Sequence, residues 1–393
     1  MRKVLQISNY YFPHFGGIEQ VARDFSRALN CYEDVQHKVI CFNEDAKVGD
    51  FENHRHETVH DVIDGVEIIK CNCFALVSSQ SLSFVYYREL KKVLDEFDPD
   101  LIVLHYPNPF VASILLHFKK RRFKLVLYWH LDITKQKLLK HLFHGQNKSL
   151  INRMTYVVGA TPNHVNESAY SPFFGDKKRV LPYAIDEKRL IISEEEKSKA
   201  IEIRKKYEGK VLGFFIGRHV PYKGLRYLIE ASSKIKSSNM HFFIAGSGEL
   251  TEELKQMAEG DSKVEFIGRV SDSEWRSYLY ACDIFCFPSI TRNEAFGLAQ
   301  AEAMYYEKPV VTFTIKGSGV NYVNLDGVTG IECPNSDSTA YAEALKKLAG
   351  DENLRHQMGV AGRKRVLENF TWDQFVKNVG KLLDDVLVEK IEK

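Results

Sequence analysis

A chain of 393 residues is longer than one hydrophobic core usually supports, so two domains of about 150 to 200 residues are expected. Its formal net charge of +2 gives no overall pull toward nucleic acid, and no nucleic-acid partner is expected. The seven cysteines form no C-x-x-C pair, no secretory signal precedes "KVLQIS", and no stretch reaches the ~20 apolar residues of a bilayer span; the expected setting is cytoplasmic, with any membrane contact peripheral.

From the N-terminus, short apolar β-branched runs alternate with amphipathic stretches, the pattern of βα units on parallel sheets. Strands are expected at 4–8, 37–42, 66–70, 101–106, 124–130 and 156–161, with helices between most of them, including 18–29 and 84–97. Charge is uneven here: residues 119–179 hold thirteen Lys or Arg against Asp132, Glu167 and Asp176. The alternation weakens in "SEEEKSKAIEIRKKYEGK" and restarts at "VLGFFIGR" (211–218), which marks a second domain. Its further strands are "MHFFIAG", "KVEFIG", "DIFCFPS" and "PVVTFT", and residues 372–388 read as a long amphipathic helix. The expected division is 1–190, with a tail helix at about 372–393, and 191–371. Both halves are Rossmann-like, so ligands are expected beyond the carboxyl ends of the strands. If the halves face each other, the two crevices make one cleft.

Those strand ends carry the chemistry. In "NEAFGLAQAEA" (293–303) a helix is expected to begin near Phe296 and run to Tyr306. Glu294 then lies just before it, and Glu302 about two turns inside. Unpaired N–H groups at a helix start attract anions, and Gly297 brings no side chain to keep them away. Carboxylates accept hydrogen bonds from hydroxyls, so the segment suits a ligand with hydroxyls at both ends and an anion between. A nucleotide sugar has that layout: hexose, diphosphate, ribose. Earlier, "IGRHVPYKG" (216–224) places Arg218 and Lys223 after a strand, cations suited to a diphosphate. In "FPHFGGIEQ", Gly16 and Gly17 precede a helix without forming G-x-G-x-x-G, which disfavours a nicotinamide dehydrogenase.

The segment Glu294-A-F-G-L-A-Q-A-Glu302 resembles the E-x7-E motif of retaining glycosyltransferases of family four, which adopt the GT-B fold. The resemblance implies two Rossmann-like domains facing each other across a cleft, with the C-terminal helix crossing back to the first. It implies Glu294 at the donor-sugar hydroxyls, Glu302 on the ribose, and backbone amides from Phe296, Gly297 and Leu298. Arg218 and Lys223 would neutralise the leaving nucleoside diphosphate. Gly16 and Gly17 would face the donor phosphates and the acceptor, and His130, ending "KLVLYWH", would contact the donor sugar. The implied catalytic set is thus His130, Arg218, Lys223 and Glu294. Asp132 would orient His130 or bind acceptor, His105 and Asn108 are further acceptor candidates, and Val270 would offer a backbone contact near the base.

The loop Gly317-Ser318-Gly319 replaces the family's usual two-glycine loop and is similar to a variant in O-antigen and exopolysaccharide transferases, several of them mannosyltransferases. The implied activity is transfer of a hexosyl group, mannosyl among the options, from a nucleotide diphosphate sugar to a lipid-linked glycan acceptor in cell-surface polysaccharide synthesis. No cofactor and no metal is expected: Asp98-Pro99-Asp100 reads as a helix stop, while "HLFH" (141–144) and Cys282 with Cys286 lack a full ligand set. The basic segment 119–153 suits either an anionic membrane on the inner face of the plasma membrane or an acceptor diphosphate. Competing readings are a catalytically silent subunit that binds a partner, and a phosphorylase or epimerase of the same fold.

Overall fold

The computed structural model describes the chain apart from residues 15, 44–56, 78–79, 119–121, 132–136, 238 and 389–393, and at 137–142 and 388 only the backbone. The chain forms two units: Met1–Leu181 together with Phe375–Lys393, and Pro182–Gln374.

Among the described residues the first unit holds ten strands: β1 (Arg2–Ile7), β2 (Val35–Phe42), β3 (Val59–Ile63), β4 (Val66–Cys71), β5 (Ala75–Val77), β6 (Gln80–Leu82), β7 (Leu101–Tyr106), β8 (Lys124–Trp129), β9 (Tyr156–Gly159) and β10 (Lys178–Val180). Eight of them make one sheet in the order β10-β9-β8-β7-β1-β2-β4-β3, parallel throughout except for the edge pair β3–β4; β5 and β6 form a separate hairpin. Strands covered on both faces need apolar residues on both, and all six residues of β7 are buried. Helix α1 (Gly17–Leu29) follows β1 and buries Val21, Ala22, Phe25 and Leu29, the spacing of a single helical stripe. Helix α2 (Pro109–His117) follows β7, with proline in its first turn and Asn108 as its cap: Asn108 Oδ1 accepts the Val111 N–H at 3.1 Å.

The described residues of the second unit form six strands, β11 (Val211–Ile216), β12 (Met240–Ala245), β13 (Val264–Gly268), β14 (Ile284–Phe287), β15 (Val310–Phe313) and β16 (Gly330–Cys333), in the all-parallel order β13-β12-β11-β14-β15-β16. Helix α3 (Leu225–Lys234) follows β11 and helix α4 (Leu298–Tyr305) follows β14. The charged stretch where the sequence pattern weakens is a helix, Glu194–Lys206. It starts at a reciprocal cap in which Ser193 and Glu196 bond each other's backbone N–H.

In each sheet the order reverses beside the first strand, between β1 and β7 and between β11 and β14. Such switch points are where open α/β sheets leave room for ligands. The residues that follow those strands are Ser8 and Asn9, Pro107 and Asn108, Gly217 and Arg218, and Pro288 and Ser289.

The last helix, α5 (Trp372–Val388), starts in the second unit, where the Trp372 N–H donates to Glu187 Oε2 at 3.0 Å. From Phe375 it belongs to the first. There Tyr32 Oη donates to the Val376 carbonyl at 2.7 Å, and Arg2 pairs with Asp384 at 2.7 Å.

Candidate active site

In the second unit, the loop after β11 and the loop after β14 are locked together by backbone. The Ile290 N–H donates to the Tyr222 carbonyl at 2.9 Å. Gly224 turns the chain into α3 with φ +64°, and a Cβ there would lie 2.1 Å from the Pro288 carbonyl oxygen; only glycine permits this approach.

That approach seats Lys223 beside β14. Lys223 Nζ donates to Glu294 Oε2, and its ammonium stands 5.3 Å from the Phe287 ring centroid. Both side chains of the pair are mostly buried, at 13% and 14% exposure. Ser289 Oγ adds a donor to the same Glu294 oxygen at 3.3 Å. Two residues 71 positions apart, each expected to meet the donor, are therefore brought into contact with one another. Arg218 stands apart from them, exposed and with no ion pair among the described residues.

Helix α4 begins at Leu298, two residues later than the sequence pattern implies, because Gly297 sits at φ +82° in the left-handed region and cannot be helical. Glu302 consequently lies only just past the first turn. A Cβ on Gly297 would fall 2.8 Å from Gln300 Nε2 and 3.0 Å from the Phe287 ring. Phe296 is buried against Tyr183 and Phe370. Among the described residues, the N–H groups of Phe296, Gly297 and Leu298 donate to no protein acceptor, which leaves three successive backbone donors at the helix start.

The loop 317–319 holds this turn in place. Ser318 is fully buried, and its hydroxyl donates to the Glu294 carbonyl. The Gly319 N–H donates to the Ala295 carbonyl at 3.1 Å. Gln300 Nε2 bridges the carbonyls of Phe296 and Val320 at 3.0 and 3.2 Å. Sequence reasoning singled out this loop as a departure and missed what its serine does. Glu302 is half-buried on α4, and lost water contact pushes its carboxyl up to about 7, with Arg189 opposing the shift and Asp272 adding to it. Val270 is half-buried and precedes Ser271, the cap of the helix Asp272–Ala281.

In the first unit, Gly16 caps α1 in an extended conformation and Gly17 opens the helix. Glu19, in the first helical turn, folds its carboxylate back against Gly16, and burial raises its protonation range despite its own backbone N–H and nearby His14. The turn that looked open in sequence thus carries an acid, which the "GGIE" spacing places within the first turn of the helix. His130 follows β8 and is buried, as is His105 in β7; His105 Nδ1 and His130 Nε2 are 2.8 Å apart. Asn108 is buried in its capping role, and its Nδ2 has no partner. Asp132 lies outside the described residues.

Several charges of the basic stretch 119–179 have structural work. Arg153 donates to the carbonyls of Leu115 and Phe118, Lys177 donates to those of Ile151 and Asn152, and Lys148 covers the Phe173 ring. Arg122 is exposed, whereas Lys119, Lys120, Arg121 and Lys135 lie outside the described residues. The Asp98-Pro99-Asp100 turn ends a helix and starts a strand: Asp98 is left-handed at φ 46°, and Asp100 accepts the Lys3 N–H at 2.8 Å. Among the described residues no helix is long and apolar enough to cross a membrane.

Comparison with known proteins agrees along nearly the whole chain. The family description "Glycosyltransferase Family 4" matches residues 15–189, and "Glycosyl transferases group 1" matches residues 196–365. O-antigen chain mannosyltransferase C of Escherichia coli is 28% identical over 99% of this chain and 100% of its own length. D-rhamnosyltransferase WbpZ of Pseudomonas aeruginosa is 28% identical over 75% of each chain. Among solved structures, HepE of Anabaena in complex with UDP and glucose superposes with a TM-score of 0.73 at 18% identity, covering 98% of this chain and 100% of that one. Two doubly wound units, the loops after β11 and β14, and these two family matches carry one conclusion: the chain belongs to glycosyltransferase family 4 and has its GT-B fold.

Proposed function

We propose that the protein is a retaining, metal-independent hexosyltransferase that moves a sugar, mannosyl in our reading, from a nucleotide diphosphate donor to a lipid-linked glycan during cell-surface polysaccharide synthesis. The observation that carries this reading is the group formed by Lys223, Glu294 and the three unpaired amides at Phe296, Gly297 and Leu298. It offers a cation and a helix start for a diphosphate beside a carboxylate that accepts sugar hydroxyls. The activities for which those relatives are named, mannosyl and rhamnosyl transfer, support the donor class.

In the reaction, the bond from the anomeric carbon to the diphosphate oxygen breaks and the acceptor oxygen takes its place on the same face. The acceptor proton passes to the departing phosphate, so no protein base is required. Lys223 and Arg218 meet the charge that grows on the diphosphate as the bond breaks, an interaction stronger in the transition state than before it. Lys223 must leave Glu294 in part to do so, which frees the carboxylate for the sugar. Glu302 takes the ribose, His130 the donor sugar, Gly16 and Gly17 face the phosphates, and Val270 lies toward the base. For the acceptor, Asp132 remains the proposed direct contact. The basic segment 119–153 places the enzyme on the inner, anionic face of the membrane.

The test is product analysis with a panel of nucleotide sugars and lipid-linked acceptors in the presence of a chelator. Release of nucleoside diphosphate together with a product of the donor's own anomeric configuration is expected. An inverted product, or activity abolished by chelation and restored by a divalent ion, rejects the mechanism. No turnover with any donor, despite binding, favours the silent-subunit reading.

A further inference from the structure

We infer that the hairpin of β5 and β6, with the residues that flank it, is an apolar wedge that enters an anionic lipid bilayer beside the ligand crevice of the first unit. The inference rests on the proposed lipid-linked acceptor and membrane contact, and adds the element that goes into the lipid.

The sequence sets this stretch apart: from Cys71 to Tyr87, "CNCFALVSSQSLSFVYY", no residue carries a charge. A hairpin laid on a soluble domain turns its apolar residues inward and its polar ones to water. Here the exposures run the other way. Ser81 and Ser83 are buried: Ser81 Oγ lies 2.9 Å from Tyr10 Oη, and Ser83 Oγ accepts the Tyr86 N–H at 3.1 Å. Leu76, Val77 and Tyr87 are exposed, Phe74 is 49% exposed and Phe84 81%. The rings of Phe74 and Phe84 stack on each other, centroids 3.9 Å apart with 8° between planes, and so present one flat apolar plate. Large apolar side chains gathered in a single exposed patch mark a surface that something other than water covers.

Charge names the cover. Tyr87 stacks on Phe118, centroids 5.2 Å apart, and Phe118 leads in the chain into Lys119-Lys120-Arg121-Arg122, of which Arg122 is exposed. On the helix Tyr86–Glu96, which follows the hairpin, Arg88, Lys91 and Lys92 are exposed; Arg88 pairs with Glu89 and Lys91 with Asp95. Lys92 and Arg122 have no ion pair among the described residues. An apolar plate with cations beside it matches a bilayer interface, where acyl chains lie below and anionic headgroups above. A second copy of this chain is a poorer match, because a two-fold contact through the patch would set the same cations against each other.

The wedge is tied to the strand ends that matter. Tyr10, its partner through Ser81, follows β1. Tyr86 packs on Phe42 at the end of β2 and on Phe110 in the first turn of α2, the helix after β7. The hairpin therefore stands beside the ends of β1 and β7, the switch point of the first unit. An acceptor whose lipid stays in the bilayer could then offer its sugar to that crevice without leaving the membrane.

The experiment uses full-length protein with vesicles of phosphatidylcholine alone and of phosphatidylcholine with phosphatidylglycerol. Phe84→Trp puts a fluorophore on the plate, and brominated acyl chains report its contact with lipid. Its emission should shift to the blue and be quenched well beyond the wild type, whose three tryptophans supply the background. Phe74→Ser together with Phe84→Ser should lower binding to anionic vesicles by about tenfold in salt high enough to screen the basic run, with melting temperature and nucleoside diphosphate binding unchanged. Unaltered binding in the double variant, or Phe84→Trp that binds anionic vesicles without quenching, overturns the wedge and leaves the basic segment as the contact. Self-association of the wild type that the double variant abolishes overturns it in favour of a second copy. Failure of the wild type to bind anionic vesicles even at low salt removes the membrane reading itself, and the wedge with it. Should the double variant melt early, the quenching of Phe84→Trp decides.

Discussion

Lys223 and Glu294 form a closed ion pair: the ammonium of the loop after β11 donates to the carboxylate that precedes α4, and little water reaches either group. Removing one partner leaves the other buried and uncompensated. Lys223→Ala should lower turnover by about 10²–10³-fold, in the range of other transition-state donors, while donor binding weakens less. Because the two residues share one bond, Lys223→Met and Glu294→Gln together should cost less stability than the sum of the single changes. Steady-state kinetics and donor titration of Lys223→Ala, with thermal melting of the wild type, Lys223→Met, Glu294→Gln and the double variant, test this; equal losses in turnover and affinity would reject the role.

Glu302 gives a pH signature. Its carboxyl titrates near 7 in the folded protein against an ordinary value of 4.5. In the proposed role it accepts from the ribose hydroxyls as a carboxylate; protonated, it loses acceptor capacity. Donor affinity should thus fall as pH drops through 7, and Glu302→Gln should flatten the profile. Stability runs the other way. The raised value means that the folded chain holds this proton more tightly than the unfolded one, so the contribution is complete below about 4.5 and disappears as pH rises through about 7. Melting of wild type against Glu302→Gln across that window checks the sign.

Ser318 acts through the peptide of Glu294. Ser318→Ala leaves the Glu294 carbonyl short of a donor in a dry site, a loss of about 1 kcal/mol. The same substitution should raise donor KM. Its kinetic effect should nearly vanish in a Glu294→Gln background, since both changes act at one point; full additivity would mean that Ser318 has its own ligand contact.

Gly224→Ala places a methyl 2.1 Å from the Pro288 carbonyl on a backbone held at φ +64°. The fixed partner cannot yield, so destabilisation of about 1–3 kcal/mol is expected. Loosening of Lys223 from Glu294 should accompany it. Urea unfolding measures the first effect and donor affinity the second.

Membrane contact through the basic run makes a salt-dependent prediction. Replacing Lys119, Lys120, Arg121 and Arg122 by Gln should weaken binding to anionic vesicles by about 1 kcal/mol per charge at low ionic strength. The difference should shrink as salt rises. Co-sedimentation with neutral vesicles serves as the control, and unchanged binding to anionic ones rejects the segment as the contact.

The α/β alternation was legible because enclosed strands are continuous apolar runs, as in β7 and β12, where all six residues are buried. Most strands without that enclosure were not, the half-buried β13 being the exception. Edge strand β3 has no buried residue, β16 is the mixed run "GIEC", and β5, β6 and β10 have three residues each. Helix 194–206 buries only Glu196 and Ala200, so no apolar stripe announces it, although the Ser193-x-x-Glu196 cap was there to be read. For the site, residue types after strands were informative while partnerships were not. Nothing in spacing joins Lys223 to Glu294, Ser318 to the Glu294 carbonyl, or His105 to His130. Those bonds depend on which strands become neighbours in the sheet.

The return of α5 to the first unit, where Arg2 pairs with Asp384, implies an order of events at the ribosome. The second unit is one unbroken stretch of chain, whereas the first is completed only by a helix that follows it. During synthesis, therefore, the unit that begins last can finish first, and the earlier unit must wait, with the surface destined for α5 uncovered, until some 190 further residues have emerged. Holdase chaperones that shield apolar surface should bind nascent chains stalled before residue 375 and release them once that helix is out.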